Sequence, residues 1–153
     1  HQPEMPACKP PERLPNRDEL KGRRHWEDMP VDVRMVTDIT AGQARPAEQK
    51  VWLRANGNIP DDPKLHIALV VYASDRGLLD TAFRPHADQG ELIGASLDHA
   101  MWFHEQPNFN DWLLYETEGP VAKNARGLAT GRIFDKQGNC LISVAQEGLL
   151  RVR

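Results

Sequence analysis

Three short stretches of the chain place polar side chains among apolar ones, where they could do chemistry. They are YASD, which ends at Asp75, GASLDHAMWFH, which contains Ser96, and SVAQEG, which contains Gln146. A carboxylate at the edge of a buried stripe is costly unless it is paired or used, and burial favours proton uptake, as a general base requires. Asp75 is therefore either a candidate base or a helix-surface acid paired with Arg76 or Lys64. Gln146 either fixes a loop or orients a small polar molecule, because a buried amide needs partners.

The histidines of GASLDHAMWFH suggest two other kinds of site. His99 and His104 are five residues apart, so they are predicted to point to opposite faces of a strand, whereas zinc needs three or four convergent ligands. Ser96 and His99 are also predicted to alternate to opposite faces, which argues against a Ser-His-Asp triad, and no GxSxG motif accompanies them. We expect no metal and no cofactor, and we expect both histidines to pack in the sheet with hydrogen-bonded rings.

A single helix is predicted directly before the first of these stretches. Asp61 or Asp62 can cap it, and Pro63 suits its first turn, where a missing N–H costs nothing. Gly77 weakens the helix, so the regular structure is expected to break around Asp75. An apolar stripe is predicted to face the core, with the members Leu65, Ala68, Leu69, Tyr72 and Leu79.

Strands are predicted on both sides of this helix from alternation of apolar and polar residues and from flanking turn residues. Their predicted ranges are Val31–Thr37, Gln49–Ala55, Leu92–Phe103, Trp112–Glu118, Arg126–Phe134 and Cys140–Leu149. Ala41–Glu48 is predicted to be a polar loop, and residues 135–139 a hairpin loop. Two strands, a helix and four strands predict an α+β fold in which an antiparallel sheet wraps one long helix.

The bulk composition excludes several classes of protein. The 153 residues carry a net charge of −3, so no global field attracts nucleic acid, and no stretch is apolar enough to span a membrane. Cys8 and Cys140 give no disulfide framework, so a reducing, cytoplasmic location is expected. Residues 1–30 are rich in proline and charge, which predicts a linker or wrapping arm. The chain opens on His rather than Met, so a processed chain or a fragment is expected.

Taken together, the motifs resemble the C-terminal half of acyl-CoA thioesterase II. The similarity runs from about Gln49 to Arg151 and includes the ordered stretches VWLRANGNIPDDPKLHIALVVYASD, ASLDHAMWFH, DWLLYETEGP, ARGLATGRIFDKQGN and LISVAQEGLLR. The resemblance implies a hotdog fold over residues 31–153, as the second half of a double hotdog. It also implies a partner, either an N-terminal hotdog half or a second copy of the chain.

The same resemblance implies hydrolysis of acyl-CoA to a fatty acid and coenzyme A. The family's three functional groups match Asp75, Ser96 and Gln146, which would hold and polarise one water. Asp75 would accept the proton of that water, while Ser96 and Gln146 fix its lone pairs. Arg76 departs from the family pattern, in which this position is usually apolar or small, and a cation there could weaken Asp75 as a base.

Two other functions remain open from the sequence. A hotdog hydratase or dehydratase acting on enoyl thioesters would usually need an Asp/His pair, but His66 precedes Asp75 by nine residues, about two and a half helical turns. A non-catalytic half that only binds acyl-CoA or completes a dimer is the third possibility.

Overall fold

The computed structural model describes residues 1–39 and 42–153, which form a seven-stranded antiparallel sheet and three short or medium helices. The strands are β1 (Val31–Met35), β2 (Glu48–Ala55), β3 (Leu92–Ser96), β4 (Ala100–Phe103), β5 (Leu113–Lys123), β6 (Arg126–Phe134) and β7 (Cys140–Val152). The helices are α1 (Arg17–Leu20), α2 (Pro63–Asp75) and α3 (Leu78–Phe83). The strand order is β1-β2-β5-β6-β7-β3, and β4 also pairs with β7. The predicted α+β class is confirmed. Ala41, at the start of the predicted polar loop, lies outside the described residues.

Helix α2 begins where the cap residues predict and packs against the sheet. The Asp62 side chain accepts a hydrogen bond of 2.9 Å from the Lys64 amide, and Pro63 occupies the first turn. The buried positions of α2 are His66, Val70, Ala73 and Ser74. The predicted apolar stripe was wrong in part: Leu79 is buried and Leu69 packs against the core, whereas Tyr72 is 46% exposed. Because α2 carries apolar residues on several sides, their spacing does not by itself identify the face that meets the core.

The break after α2 occurs at the predicted place. Helix α2 ends at Asp75, and Gly77 has a φ of +101°, a left-handed conformation that favours glycine. A Cβ at Gly77 would lie 3.0 Å from Nη2 of Arg17, so the arm side chain packs directly over this turn. Helix α3 starts immediately afterwards. No helix in the described parts of the chain is long and apolar enough to cross a membrane.

The predicted single strand over 92–103 is two strands separated by a bulge, and both pair with β7. From Ser96 to Ala100 the chain advances four residues, while the partner positions on β7 advance only three, from Gly148 to Ala145. One extra residue is therefore accommodated at 97–99, as in a β-bulge. The amide of Leu97 still donates to the carbonyl of Glu147, at 2.9 Å, so the two segments stay on the same edge.

Candidate active site

The three side chains singled out from the sequence meet at one place in the fold. Gln146 Nε2 donates to Asp75 Oδ1 at 2.6 Å and to Ser96 Oγ at 2.9 Å. Asp75 is the last residue of α2, Ser96 the last residue of β3, and Gln146 lies within β7. The helix break, the strand bulge and the long strand thus each supply one polar group. Their convergence is an observation, while their catalytic role stays a prediction.

The two ends of this cluster differ in their access to solvent. Gln146 is only 1% exposed, whereas the Asp75 side chain is 60% exposed. This exposure agrees with the interpretation of Asp75 as a helix-surface acid, but the hydrogen bond to its carboxylate comes from Gln146 rather than from Arg76 or Lys64. A buried amide consequently fixes one oxygen of a carboxylate that is open to an approaching molecule.

The amide orientation of Gln146 follows from chemistry. An ionised carboxylate can only accept hydrogen bonds, so the amide nitrogen and not the amide oxygen must face Asp75. Both Nε2 protons are then used, one by Asp75 and one by Ser96. Because Ser96 Oγ accepts from Gln146, its own hydroxyl proton remains available to donate. Gln146 Oε1 is buried and has no hydrogen-bond partner within residues 1–39 and 42–153.

His99 lies closer to the site than the sequence predicted. Its Nδ1 is 3.7 Å from Asp75 Oδ1, and its Nε2 is 3.0 Å from Ser74 Oγ. The Ser74 hydroxyl donates to the carbonyl of Val71 at 2.8 Å, so His99 Nε2 donates to Ser74. The prediction that Ser96 and His99 point to opposite faces was wrong, because the bulge between β3 and β4 changes the alternation and brings both to the Asp75 side.

Two further histidines, His66 and His104, form hydrogen bonds away from Asp75. His66 Nδ1 accepts a hydrogen bond of 2.9 Å from the Phe109 amide, and its side chain is buried. His104 Nε2 lies 2.9 Å from Ser143 Oγ. The hydrogen-bonded rings expected for His99 and His104 are confirmed, but neither residue packs within a strand: His99 lies in the bulge, and His104 is exposed directly after β4. Within the described ranges there is no group of three or more His, Cys, Asp or Glu side chains that could hold a metal ion.

Tyr115 of β5 forms a hydrogen bond with the last turn of α2. Its hydroxyl donates to the carbonyl of Ser74 at 3.2 Å, next to Asp75. Burial raises the pKa of Tyr115 well above its usual value, and the negative charge of Asp75 adds to this effect. Tyr115 therefore stays protonated and acts as a hydrogen-bond donor. The alternating pattern of β5 indicates a core residue here, and no signal in the sequence links it to Asp75.

Asp98 stabilises the bulge that shapes the site. Its carboxylate accepts a hydrogen bond of 2.8 Å from the Glu147 amide, the neighbour of Gln146. The Asp98 carboxylate thus accepts a hydrogen bond from a β7 amide that would normally go to a backbone carbonyl of the neighbouring strand. A sequence signal did exist, since aspartate is disfavoured in strand interiors and its presence at position 98 is typical of an irregularity.

Replacing Asp98 by Ala is expected to lower the free energy of unfolding by about 1 kcal/mol, since one hydrogen bond to a backbone amide is lost. The bulge also loses its restraint, so Ser96 and His99 are less well placed and any turnover at the site should fall. Denaturant unfolding and steady-state kinetics measure the two effects. Asp88→Ala, at an exposed aspartate, is the matched control. Equal effects of the two variants would contradict the assigned role of Asp98.

Similarity to known proteins identifies the family to which this chain belongs. A family model described as acyl-CoA thioesterase matches residues 20–149. The chain belongs to the acyl-CoA thioesterase family. Acyl-coenzyme A thioesterase 8 from Mus musculus is 34% identical over an alignment 174 positions long, which covers 100% of this chain and 54% of the mouse protein. This member of the acyl-CoA thioesterase family thus spans about half the length of the curated relatives it matches.

Solved structures place the acyl-CoA thioesterase family member in the hotdog fold. The acyl-CoA thioesterase II TesB2 from Mycobacterium marinum superposes with a TM-score of 0.80 and is 39% identical, covering 100% of this chain and 57% of that one. A protein from Alicyclobacillus acidocaldarius, described as having a hot dog fold, gives a TM-score of 0.70 at 16% identity, over 100% of this chain and 56% of its own. The predicted hotdog fold and family resemblance are confirmed.

Proposed function

We propose that this chain is the catalytic half of an acyl-CoA thioester hydrolase, with Asp75, Ser96 and Gln146 as its site. The observation that carries the proposal is the pair of hydrogen bonds from one buried amide to a carboxylate and a hydroxyl. Family membership supports the substrate class. No cofactor is required, since a thioester carbonyl is electrophilic enough for an activated water to attack it.

The proposed reaction uses one water and returns the site to its starting state. The water accepts a hydrogen bond from the Ser96 hydroxyl and donates to the Asp75 carboxylate. As its oxygen bonds to the thioester carbon, Asp75 takes the proton. The C–S bond then breaks, and the departing coenzyme A thiolate takes this proton from Asp75. The other product is the fatty acid, which ionises in solution.

Gln146 has a different part in this proposal from the one that the sequence suggested. Its two N–H groups hold Asp75 and Ser96 rather than the water itself. It is therefore a positioning residue, which sets the separation of the proton acceptor and the hydroxyl donor. Burial makes this arrangement rigid, since the amide cannot turn to solvent.

We propose a second hotdog as the partner, either an N-terminal half or another copy of this chain. The support is a set of exposed apolar side chains on α2 and on the edge formed by β3 and β4. Its members are Val71, Tyr72, Ile93, Leu97, Trp102 and Phe103. Sheet edges and apolar patches of this kind are usually covered in the assembled protein.

The proposal extends to the domain boundaries and the location. Residues 1–30 are proposed to be an arm that wraps the hotdog domain of residues 31–153. Trp52 Nε1 donates to the carbonyl of Lys9 at 3.0 Å, and Cys8 packs against the same cluster as Trp52. The proposed location is the cytoplasm, supported by the two free thiols of Cys8 and Cys140.

Release of free thiol from acyl-CoA, measured on the chain alone and with an N-terminal hotdog half, tests the proposed activity. Turnover that requires Asp75 supports it. Conversion of an enoyl thioester without thiol release would instead support a hydratase, for which the short Asp75–His99 separation is the favouring observation. Acyl-CoA binding without either reaction, in both assemblies, would show a non-catalytic module.

A further inference from the structure

A buried ion pair joins the arm to the residue next to Asp75. Arg76 Nη2 donates to both carboxylate oxygens of Asp18, at 2.9 and 2.7 Å. The exposed fractions of the two side chains are 12% and 1%. Arg23 of the arm also contacts Asp18, at 3.2 Å, but its own side chain is 56% exposed. Arg76 is therefore the main buried partner of this carboxylate.

The arm presents Asp18 in a fixed position. Asn16 caps α1 by accepting hydrogen bonds from the Asp18 and Glu19 amides, and its own amide donates to Asp32 of β1 at 2.7 Å. On the other side of the turn, Arg17 pairs with Asp80 of α3 at 2.8 Å. Arg17 and Asp18 thus form ion pairs on both sides of the break, with Asp80 in α3 and with Arg76 directly after α2.

The rest of the surroundings of Arg76 offer little to balance its charge. Its Nη1 donates to the Tyr72 hydroxyl at 3.3 Å, and its Nε is buried without a hydrogen-bond partner in the described part of the chain. A buried guanidinium that loses its carboxylate is strongly unfavourable and turns toward another anion. The adjacent carboxylate in sequence is Asp75, which is open to solvent on one side.

We propose that Asp18 is a positioning residue for the hydrolysis, which keeps the guanidinium of Arg76 away from the Asp75 carboxylate. This inference rests on the proposed function of Asp75 as the proton acceptor. An arginine bound to Asp75 would compete with the water for its oxygens and would stabilise the ionised form, which weakens it as a base. The arm is then part of the catalytic apparatus, and Arg76 is tolerated beside Asp75 only because Asp18 is present.

Three variants separate this role from a purely structural one: Asp18→Asn, Arg76→Gln, and the double variant. Asp18→Asn is expected to lower kcat at least about 10-fold with KM changed less than about twofold, since substrate binding is not altered. Arg76→Gln is expected to retain kcat within about twofold, because Arg76 contributes nothing to the reaction. The double variant is expected to recover the kcat of Arg76→Gln.

A structural clamp gives a different pattern: Arg76→Gln would lose activity as Asp18→Asn does, and the double variant would not recover. That result overturns the proposal. If Asp18→Asn does not fold, Arg76→Gln and the double variant still test the proposal. A kcat of the double variant much lower than that of Arg76→Gln contradicts it. If the Asp75→Asn variant turned over acyl-CoA as fast as the wild type, the proposed function itself would be refuted. In that case a crystal structure of Asp18→Asn tests the electrostatic step, which holds if Arg76 contacts Asp75 and fails if it stays beside residue 18.

Discussion

Replacement of Asp75 by Asn is expected to lower kcat for acyl-CoA hydrolysis by about a hundred- to ten-thousand-fold, the contribution of a positioned general base. The amide cannot take a proton from water, yet it has the same shape as the carboxylate. Its oxygen can still accept the hydrogen bond that Gln146 now donates to Oδ1 at 2.6 Å. Because the side chain is 60% exposed, the fold should be unaffected. Thiol release and thermal unfolding, measured on the same preparation, give both results.

Asp61→Asn is the matched control for this variant. It removes one exposed carboxylate before the start of α2, while Asp75 lies at its end, so the net charge changes equally. The control is expected to keep the wild-type kcat. Full activity in Asp75→Asn would refute the assignment of the base, and an equal loss in both variants would point to a general charge effect.

Replacement of Gln146 by Ala is expected to lower kcat by about a hundredfold, as a displacement of catalytic groups by about 1 Å can do. Without the amide, Asp75 and Ser96 lose the common donor that fixes their separation. The Gln146→Glu variant should be at least as defective, because a second carboxylate would face Asp75 and both N–H donors would be lost. Steady-state kinetics measure both losses.

Gln137→Ala, which truncates an exposed amide in the hairpin loop, is the control for side-chain removal. It is expected to leave kcat unchanged. If Gln146→Ala remained fully active while folded, Gln146 would be a core residue that merely satisfies its own polar groups. Circular dichroism separates a loss of activity from a loss of fold.

Much of the frame could be predicted because local patterns determine it. Asp62 and Pro63 mark the start of α2, and Gly77 marks its break, since each favours a specific backbone conformation. Strand β6 has the predicted bounds, Arg126–Phe134. Asp75 and Gln146 stood out as polar residues among apolar ones, but their grouping with Ser96 came from a family resemblance, because nothing in the spacing shows that the three meet.

The remaining features depend on contacts between distant residues. Asp18 and Arg76 are 58 positions apart, and no local pattern indicates their pairing. The bulge depends on the register of β3 and β4 against β7, which alternation within one strand does not reveal. For this reason the sequence misplaced His99 relative to Ser96. The sequence left the exposure of Asp75 open, because the apolar residues of α2 do not define a single buried side.

The bulge has a consequence for aligning and redesigning this region. Side chains in a strand have odd-even parity, and one additional residue reverses it for everything on one side of the insertion. Ser96 and Met101, an odd number of positions apart, pair with Gly148 and Val144, an even number apart on β7. A one-residue deletion within 97–99 would make the two spacings equal and restore regular alternation, so a gap here removes the bulge and the placement of His99 while β3 and β4 keep their register on β7.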